Sequence, residues 1–325
     1  MKFAIVGAGA IGAYLGAKLS AAGEDVALIA RGAHGRAMRA NGVTVRSPLG
    51  DFVARPMVRE DPAEVGPVDA VFLAVKAHSL PAAAERLAPL LGPETPVVAA
   101  QNGIPWWYFQ RHGGEWEGTR LESVDPGGRI AAAIDARRVI GCVIFCSTRV
   151  AEPGVIEHIE GGRFAIGEPD GGASDRCRRI AEAFQRAGLK CPIRARIRHD
   201  LWVKAIGNAA VNPISALTRS TLGEILENSE TRALVRQVME ESAAVAARLG
   251  IELDISIEQR MAGVEAIRHH KTSMLQDLEA GRPLELEAIT GAIVELADKL
   301  GVPAPATRAV YACTKLLAQT VLPAG

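Results

Sequence analysis

Short β-branched runs alternate with helical periods through the first half of the chain. Residues 3–6 read as a strand, 11–22 as a helix closed by Gly23, and 26–30 as a second strand. Residues 43–45 and 52–58, split by Pro48-Leu49-Gly50-Asp51, form a predicted hairpin. Residues 69–75 give a third parallel strand, 81–91 a helix and 96–100 a fourth strand. Residues 139–148 and 155–159 pair about Pro153-Gly154, and 164–166 add another strand. A helix over 174–187, stopped by Gly188, leads to a last strand at 189–193. Such alternation builds a parallel sheet from βαβ units.

The period is helical from Arg194 almost to the end. Thr221 with Glu224 and Ser256 with Gln259 have capping-box spacing, and Gly250, Gly281 and Gly301 fall where helices stop. The pattern predicts an α/β domain of the Rossmann type over residues 1–195 and an all-helical domain over 196–325.

The 325 residues carry 37 basic and 37 acidic side chains, so no electrostatic footprint for nucleic acid or an anionic membrane stands out. No run reaches the roughly 18 apolar residues of a membrane span, and the first residues lack a secretory pattern. The expected compartment is the cytoplasm. Five scattered cysteines make no disulfide framework or zinc spacing. Cys142 and Cys146 are expected on one strand face as buried thiols, and no metal is expected.

Gly7-Ala8-Gly9-Ala10-Ile11-Gly12 follows a strand and opens a helix. In that context the first glycine makes the turn, the second admits a pyrophosphate and the third allows close packing. The helix N-terminus favours phosphate charge. A fold that binds NAD usually places an acid on the ribose roughly 20 residues later. Here the second strand ends in Ala30-Arg31, and Glu24 and Asp25 lie at its other end. Arg31 suits a 2′-phosphate, with Arg36 in support, and so favours NADP; a solvated surface arginine is the alternative.

Lys76 and Gln101-Asn102-Gly103 end two further strands, where ligands of doubly wound sheets sit, although Asn-Gly is also ordinary turn chemistry. Next comes Ile104-Pro105-Trp106-Trp107-Tyr108-Phe109, with Trp116 close behind. Its position suggests a substrate wall or lid, or equally a packed interdomain or subunit contact. In residues 199–213, Lys204, Asn208 and Asn212 recur every four residues on one helix face among apolar neighbours. Polar groups there are costly unless they meet a ligand or each other; an exposed stripe is the alternative. Pro213 is expected to bend or end that helix after Asn212. Thr272-Ser273 looks like a helix start able to cap or to hold a carboxylate, and Glu285 and Glu287 precede an apolar helix.

Together these motifs resemble the ketopantoate reductase (2-dehydropantoate 2-reductase) family across nearly the whole chain. The resemblance rests on residues 7–12, Val75-Lys76-Ala77, Gln101-Asn102-Gly103, residues 201–213 and 272–278, and Leu284-Glu285. It implies NADPH-dependent reduction of a 2-oxo acid to a 2-hydroxy acid, a step of pantothenate biosynthesis. It makes Lys204 the general acid, and Glu285 the group that binds the substrate hydroxyl. Asn208, Asn212 and Ser273 hold polar groups of the substrate, and Asn102 lies between cofactor and substrate. Gly7, Ala8, Gly9, Ala10, Ile11, Gly12, Arg31 and Lys76 take cofactor-side places. The bulky segment from Trp106 to Trp116 leaves open a larger or more apolar 2-oxo acid. A dehydrogenase of another hydroxy acid and a non-catalytic NADPH sensor are the competing classes, and intact Lys204 and Glu285 argue against the sensor. Helical domains of this kind often pair between subunits, so a homodimer is an expectation.

Overall fold

The computed structural model describes residues 1–321, which divide into two units. The first unit holds a nine-stranded sheet. Its elements are β1 (Lys2–Val6), α1 (Ala10–Ala21), β2 (Asp25–Ile29), α2 (Gly32–Asn41), β3 (Val43–Arg46), β4 (Phe52–Ala54) and β5 (Met57–Arg59). They continue with β6 (Ala70–Leu73), α3 (Leu80–Ala84), β7 (Val97–Ala99), α4 (Arg129–Ala133), β8 (Val139–Glu152), β9 (Val155–Gly167) and α5 (Asp175–Arg186). The strand order is β4-β3-β9-β8-β7-β6-β1-β2-β5. Strands β8, β7, β6, β1, β2 and β5 pair in parallel, as crossover helices require. Phe3, Phe72, Phe164 and Phe184 interlock in the core, with Phe164 and Phe184 edge to face at 5.6 Å.

Some local expectations change. Arg55-Pro56 splits the predicted second hairpin strand. β4 stays antiparallel to β3, while β5 crosses to pair in parallel with β2 at the opposite edge. The run 155–166 is one long strand, not two, and carries irregular register at Gly161 opposite Cys146. Helix α2 fills a stretch to which the sequence pattern assigns no element, and Gly35 lets it close on the end of β2. A Cβ at Gly35 would lie 2.7 Å from the Ala30 carbonyl oxygen. The segment 189–193 forms only bridges to β9 at Lys190 and Ile193.

The second unit begins at Arg198 and also includes Asn102–Trp106 and Leu121–Pro126. Its helices are α6 (Ile197–Thr218), α7 (Leu222–Glu227), α8 (Ser229–Arg248), α9 (Ile257–Glu265), α10 (Ser273–Glu279), α11 (Ala292–Leu300) and α12 (Pro305–Val321). Both predicted capping boxes form, at Thr221 and Ser256. α6 does not end after Asn212. It runs through Pro213 to Thr218, and Ala209, Ala210, Ile214 and Ala216 are all buried. Interior proline costs about 3 kcal/mol, and burying these apolar side chains on either side of it outweighs that. Glu295 of α11 accepts backbone bonds from Glu122 and Ser123 at 3.0 and 2.9 Å, which fastens the 121–126 excursion to this unit.

Among the described residues, no helix is long and apolar enough to cross a membrane.

Candidate functional site

In the first unit the glycine turn is built as its spacing predicts. Gly7 has φ +97°, and a Cβ there would lie 2.7 Å from Val75. A Cβ at Gly12 would lie 2.1 Å from the Gly7 carbonyl oxygen. These two glycines serve the close approach of turn, helix and β6. Gly9 differs, because nothing lies within 4 Å of its Cβ position. It is the N-cap of α1, with no side chain capping the helix and no acid in its first turn. The space beside the uncapped first turn of α1 is therefore open, which is what a pyrophosphate at a helix N-terminus needs. The residues fit a dinucleotide on this ground alone.

Arg31, the N-cap of α2, and Arg36 are both exposed, and neither forms an ion pair among the described residues. Gln101 donates to the Leu73 and Val75 carbonyls at 3.1 and 3.2 Å, tying together the ends of β6 and β7. Lys76 lies just past that end of β6, after Ala74 and Val75.

In the second unit, Lys204 Nζ donates to Asn102 Oδ1 at 2.9 Å, and Asn102 Nδ2 donates to Glu285 Oε2 at 3.3 Å. Glu285 is 8% exposed and Lys204 is half-buried. One amide thus links an ammonium and a carboxylate separated by about eighty positions in the chain. The link depends on a π-helical turn at Glu287–Gly291. Ala288 in that turn accepts the backbone N–H of Ile104 at 2.9 Å. Gly103, at φ +80°, comes so close that a Cβ would lie 2.0 Å from the Ala288 carbonyl oxygen. Only glycine satisfies both demands.

Asn208 and Asn212 share the α6 face with Lys204, and neither amide makes a side-chain hydrogen bond among the described residues. Thr272, not Ser273, caps α10, through Leu275 N–H at 3.2 Å. Ser273 is exposed, and its hydroxyl has no capping duty. Hydrogen bonding thus joins Lys204, Asn102 and Glu285, but does not tie Asn208, Asn212 or Ser273 to them.

The aromatic cluster is mainly core. Trp107 is 1% exposed and its ring lies against Gly141 of β8, where a Cβ would be 2.7 Å away. Tyr108 and Phe109 are equally buried, and Trp116 packs beside Phe109 at 6.4 Å. The expected substrate wall from Trp106 to Trp116 therefore does not form as a continuous surface. Trp106 belongs to the second unit, and its buried indole N–H has no hydrogen-bond partner among the described residues.

Sequence reasoning missed Arg260 of α9. Its guanidinium lies against Gly207 of α6, one turn beyond Lys204. Nothing in the sequence signals it, because the contact joins two helices far apart in the chain. Among the described residues, no cluster of three or more His, Cys, Asp or Glu side chains could hold a metal.

A parallel α/β unit with an open glycine turn, together with a helical unit carrying a linked Lys–Asn–Glu set, defines a dinucleotide-dependent oxidoreductase. Comparison with known proteins narrows this. The family profile described as "Ketopantoate reductase PanE/ApbA" matches residues 3–106, and its "C terminal" counterpart matches 196–318. A 2-dehydropantoate 2-reductase of Mesorhizobium japonicum is 48% identical over 319 residues, covering 98% of each chain. The crystal structure of a ketopantoate reductase, so described provisionally, from Ralstonia solanacearum MolK2 superposes with TM-score 0.93 at 42% identity, covering 98% of each chain. D-mandelate dehydrogenase, solved with NADH and anilino(oxo)acetate, shares the fold at TM-score 0.85 and 23% identity, covering 99% of each chain. The chain belongs to the ketopantoate reductase family of oxidoreductases, whose cofactor is a nicotinamide dinucleotide.

Proposed function

We propose that this protein reduces 2-dehydropantoate to pantoate with NADPH, in the cytoplasm. Residues 1–195 carry the cofactor and 196–325 carry substrate and catalytic groups, with Asn102 serving both. The observation that supports the reading most is the Lys204–Asn102–Glu285 set. When bound, the reduced nicotinamide supplies the hydride that adds to the substrate's carbonyl carbon. Negative charge then builds on the carbonyl oxygen. The Lys204 ammonium aimed at that oxygen stabilises the charge and gives up its proton, leaving a neutral amine to be reprotonated by water. Glu285 accepts the substrate hydroxyl, and Asn102 holds the lysine and the glutamate in register. Asn208, Asn212 and Ser273 offer hydrogen bonds to the substrate's remaining polar groups.

On the cofactor side, the turn Gly7, Ala8, Gly9, Ala10, Ile11 and Gly12 would hold the pyrophosphate, with the N–H groups at the start of α1 as donors, because those of Gly7 and Ala8 already bond to the Ile29 carbonyl. Arg31 would pair with the 2′-phosphate, and Lys76 would take a place on the cofactor side. The uncompensated charge on Arg31, with no acid at the end of β2, favours NADPH over NADH. Loss of reduced-nicotinamide absorbance with 2-dehydropantoate, compared between NADPH and NADH, tests the proposal. Aryl 2-oxo acids belong in the panel, because D-mandelate dehydrogenase shares the fold. Preference for NADPH and 2-dehydropantoate is expected. Faster turnover of a bulky aryl acid would overturn the substrate, and preference for NADH the cofactor.

A further inference from the structure

Arg260 sits halfway along α9, in a segment with acids on both sides, yet none neutralises it. Glu258 pairs with Arg236 and Glu265 pairs with Arg268. Those acids are two residues before Arg260 and five after it, and so project from a different side of the helix. Among the described residues the Arg260 side chain has neither an ion pair nor a hydrogen bond, and its Nε is buried without a partner. Its guanidinium occupies a notch left by Gly207. A Cβ at that position would lie 2.4 Å from Nη2, 2.7 Å from Nε and 2.8 Å from Cζ. Gly207 follows Lys204 by three residues, about 60° around α6, on the side away from Asn208. Arg260 and Asn208 therefore flank the lysine.

A half-buried guanidinium without a counter-ion is costly, and its planar fork matches a carboxylate in bidentate geometry. The other polar groups beside Lys204 on α6, Asn208 and Asn212, are neutral amides, whereas a 2-oxo acid always carries one negative charge at neutral pH. Resting on the substrate class proposed above, we infer that Arg260, seated in the Gly207 notch, binds the carboxylate of the 2-oxo acid and so selects acids over neutral carbonyl compounds. Its part is recognition, since the proton comes from Lys204. Gly207 is then required for the space that its missing side chain leaves.

The test is equilibrium binding of pantoate and of its primary amide to the protein saturated with NADP, measured by calorimetry for wild type, Arg260→Gln, Arg260→Lys and Gly207→Ala. Wild type should prefer pantoate over the amide by roughly 10- to 100-fold, the worth of a charge-assisted pair. Arg260→Gln should erase the preference by weakening pantoate binding alone, Arg260→Lys should retain part of it, and Gly207→Ala should reduce it with the charge still present. NADP affinity should not change in any variant. Equal weakening of both ligands, or an undiminished preference in Arg260→Gln, overturns the inference. So does a fall in NADP affinity, which would assign Arg260 to the cofactor. Wild type that binds neither ligand overturns the substrate class, and this inference with it. Wild type that binds pantoate, with the preference unmoved by the variants, overturns the role of Arg260 alone.

Discussion

Replacing Gly103 by alanine tests whether the approach of the 102–106 segment to the π-turn holds the site together. The new methyl would sit 2.0 Å from the Ala288 carbonyl oxygen and 2.4 Å from its carbon, whereas ordinary contact begins at 3.4 Å. The segment must therefore back away by more than about 1 Å, and Asn102, its neighbour, moves with it. Holding alanine at φ +80° adds roughly 1–2 kcal/mol of backbone strain. That strain should lower Tm by several degrees in a chain of this size. A displacement of about 1 Å in a positioning group typically costs about 10²-fold in rate, or roughly 2.7 kcal/mol of barrier. Steady-state kinetics with 2-dehydropantoate and NADPH should show kcat falling by about that factor. NADPH affinity, which rests mainly on the glycine turn and Arg31, should fall far less than kcat, even though Asn102 also serves the cofactor. Gly103→Ala protein with wild-type kcat, or with a loss confined to NADPH binding, would refute the reasoning.

Arg31→Ala should raise the KM for NADPH about 10- to 100-fold and leave that for NADH nearly unchanged, compared side by side in the same assay. An equal effect on both cofactors would remove Arg31 from the 2′-phosphate. Away from the site, Glu168 is buried and receives bonds from Arg111, Arg176 and Ser174. Burial pushes its carboxyl up, but the Arg176 and Ser174 hydrogen bonds and the guanidinium charge outweigh that and hold it below the usual carboxylate range. A lowered folded value means stability that is complete above the unfolded value of about 4.3 and is lost as pH falls through the folded one. Glu168→Gln should cost about 2–3 kcal/mol at pH 7, less than a fully buried pair because Arg111 and Arg176 are 29% and 26% exposed. It should also flatten the acid limb of the melting curve below the unfolded value of about 4.3. An unchanged acid limb would dismiss the network as a stabiliser.

The glycine turn and the Lys204 stripe are legible in the sequence because each is local: a strand–turn–helix of six residues and a four-residue period. The stop signals at Gly250, Gly281 and Gly301 are local in the same way. Three features are not. β5 chooses its partner across the sheet, and no pattern in Met57–Arg59 names β2. Trp107 reads equally as a substrate wall or as a packed contact from its place after Asn102-Gly103, and the missing side chain at Gly141 draws it into the core. Arg260 and Gly207 meet only when α9 packs beside α6, so neither residue announces the notch. α6 also shows tertiary burial overriding the local rule that proline ends a helix.

Everything proposed for the chemistry turns on Lys204 protonating the carbonyl oxygen as hydride arrives. Single-turnover reduction of 2-dehydropantoate by Lys204→Ala protein, with NADPH bound beforehand, tests this most directly. The hydride-transfer rate should fall by about 10²- to 10⁴-fold while the Kd for NADPH stays unchanged. A rate within about tenfold of wild type would show that the proton comes from elsewhere, and that the Lys204–Asn102–Glu285 set serves only to bind substrate.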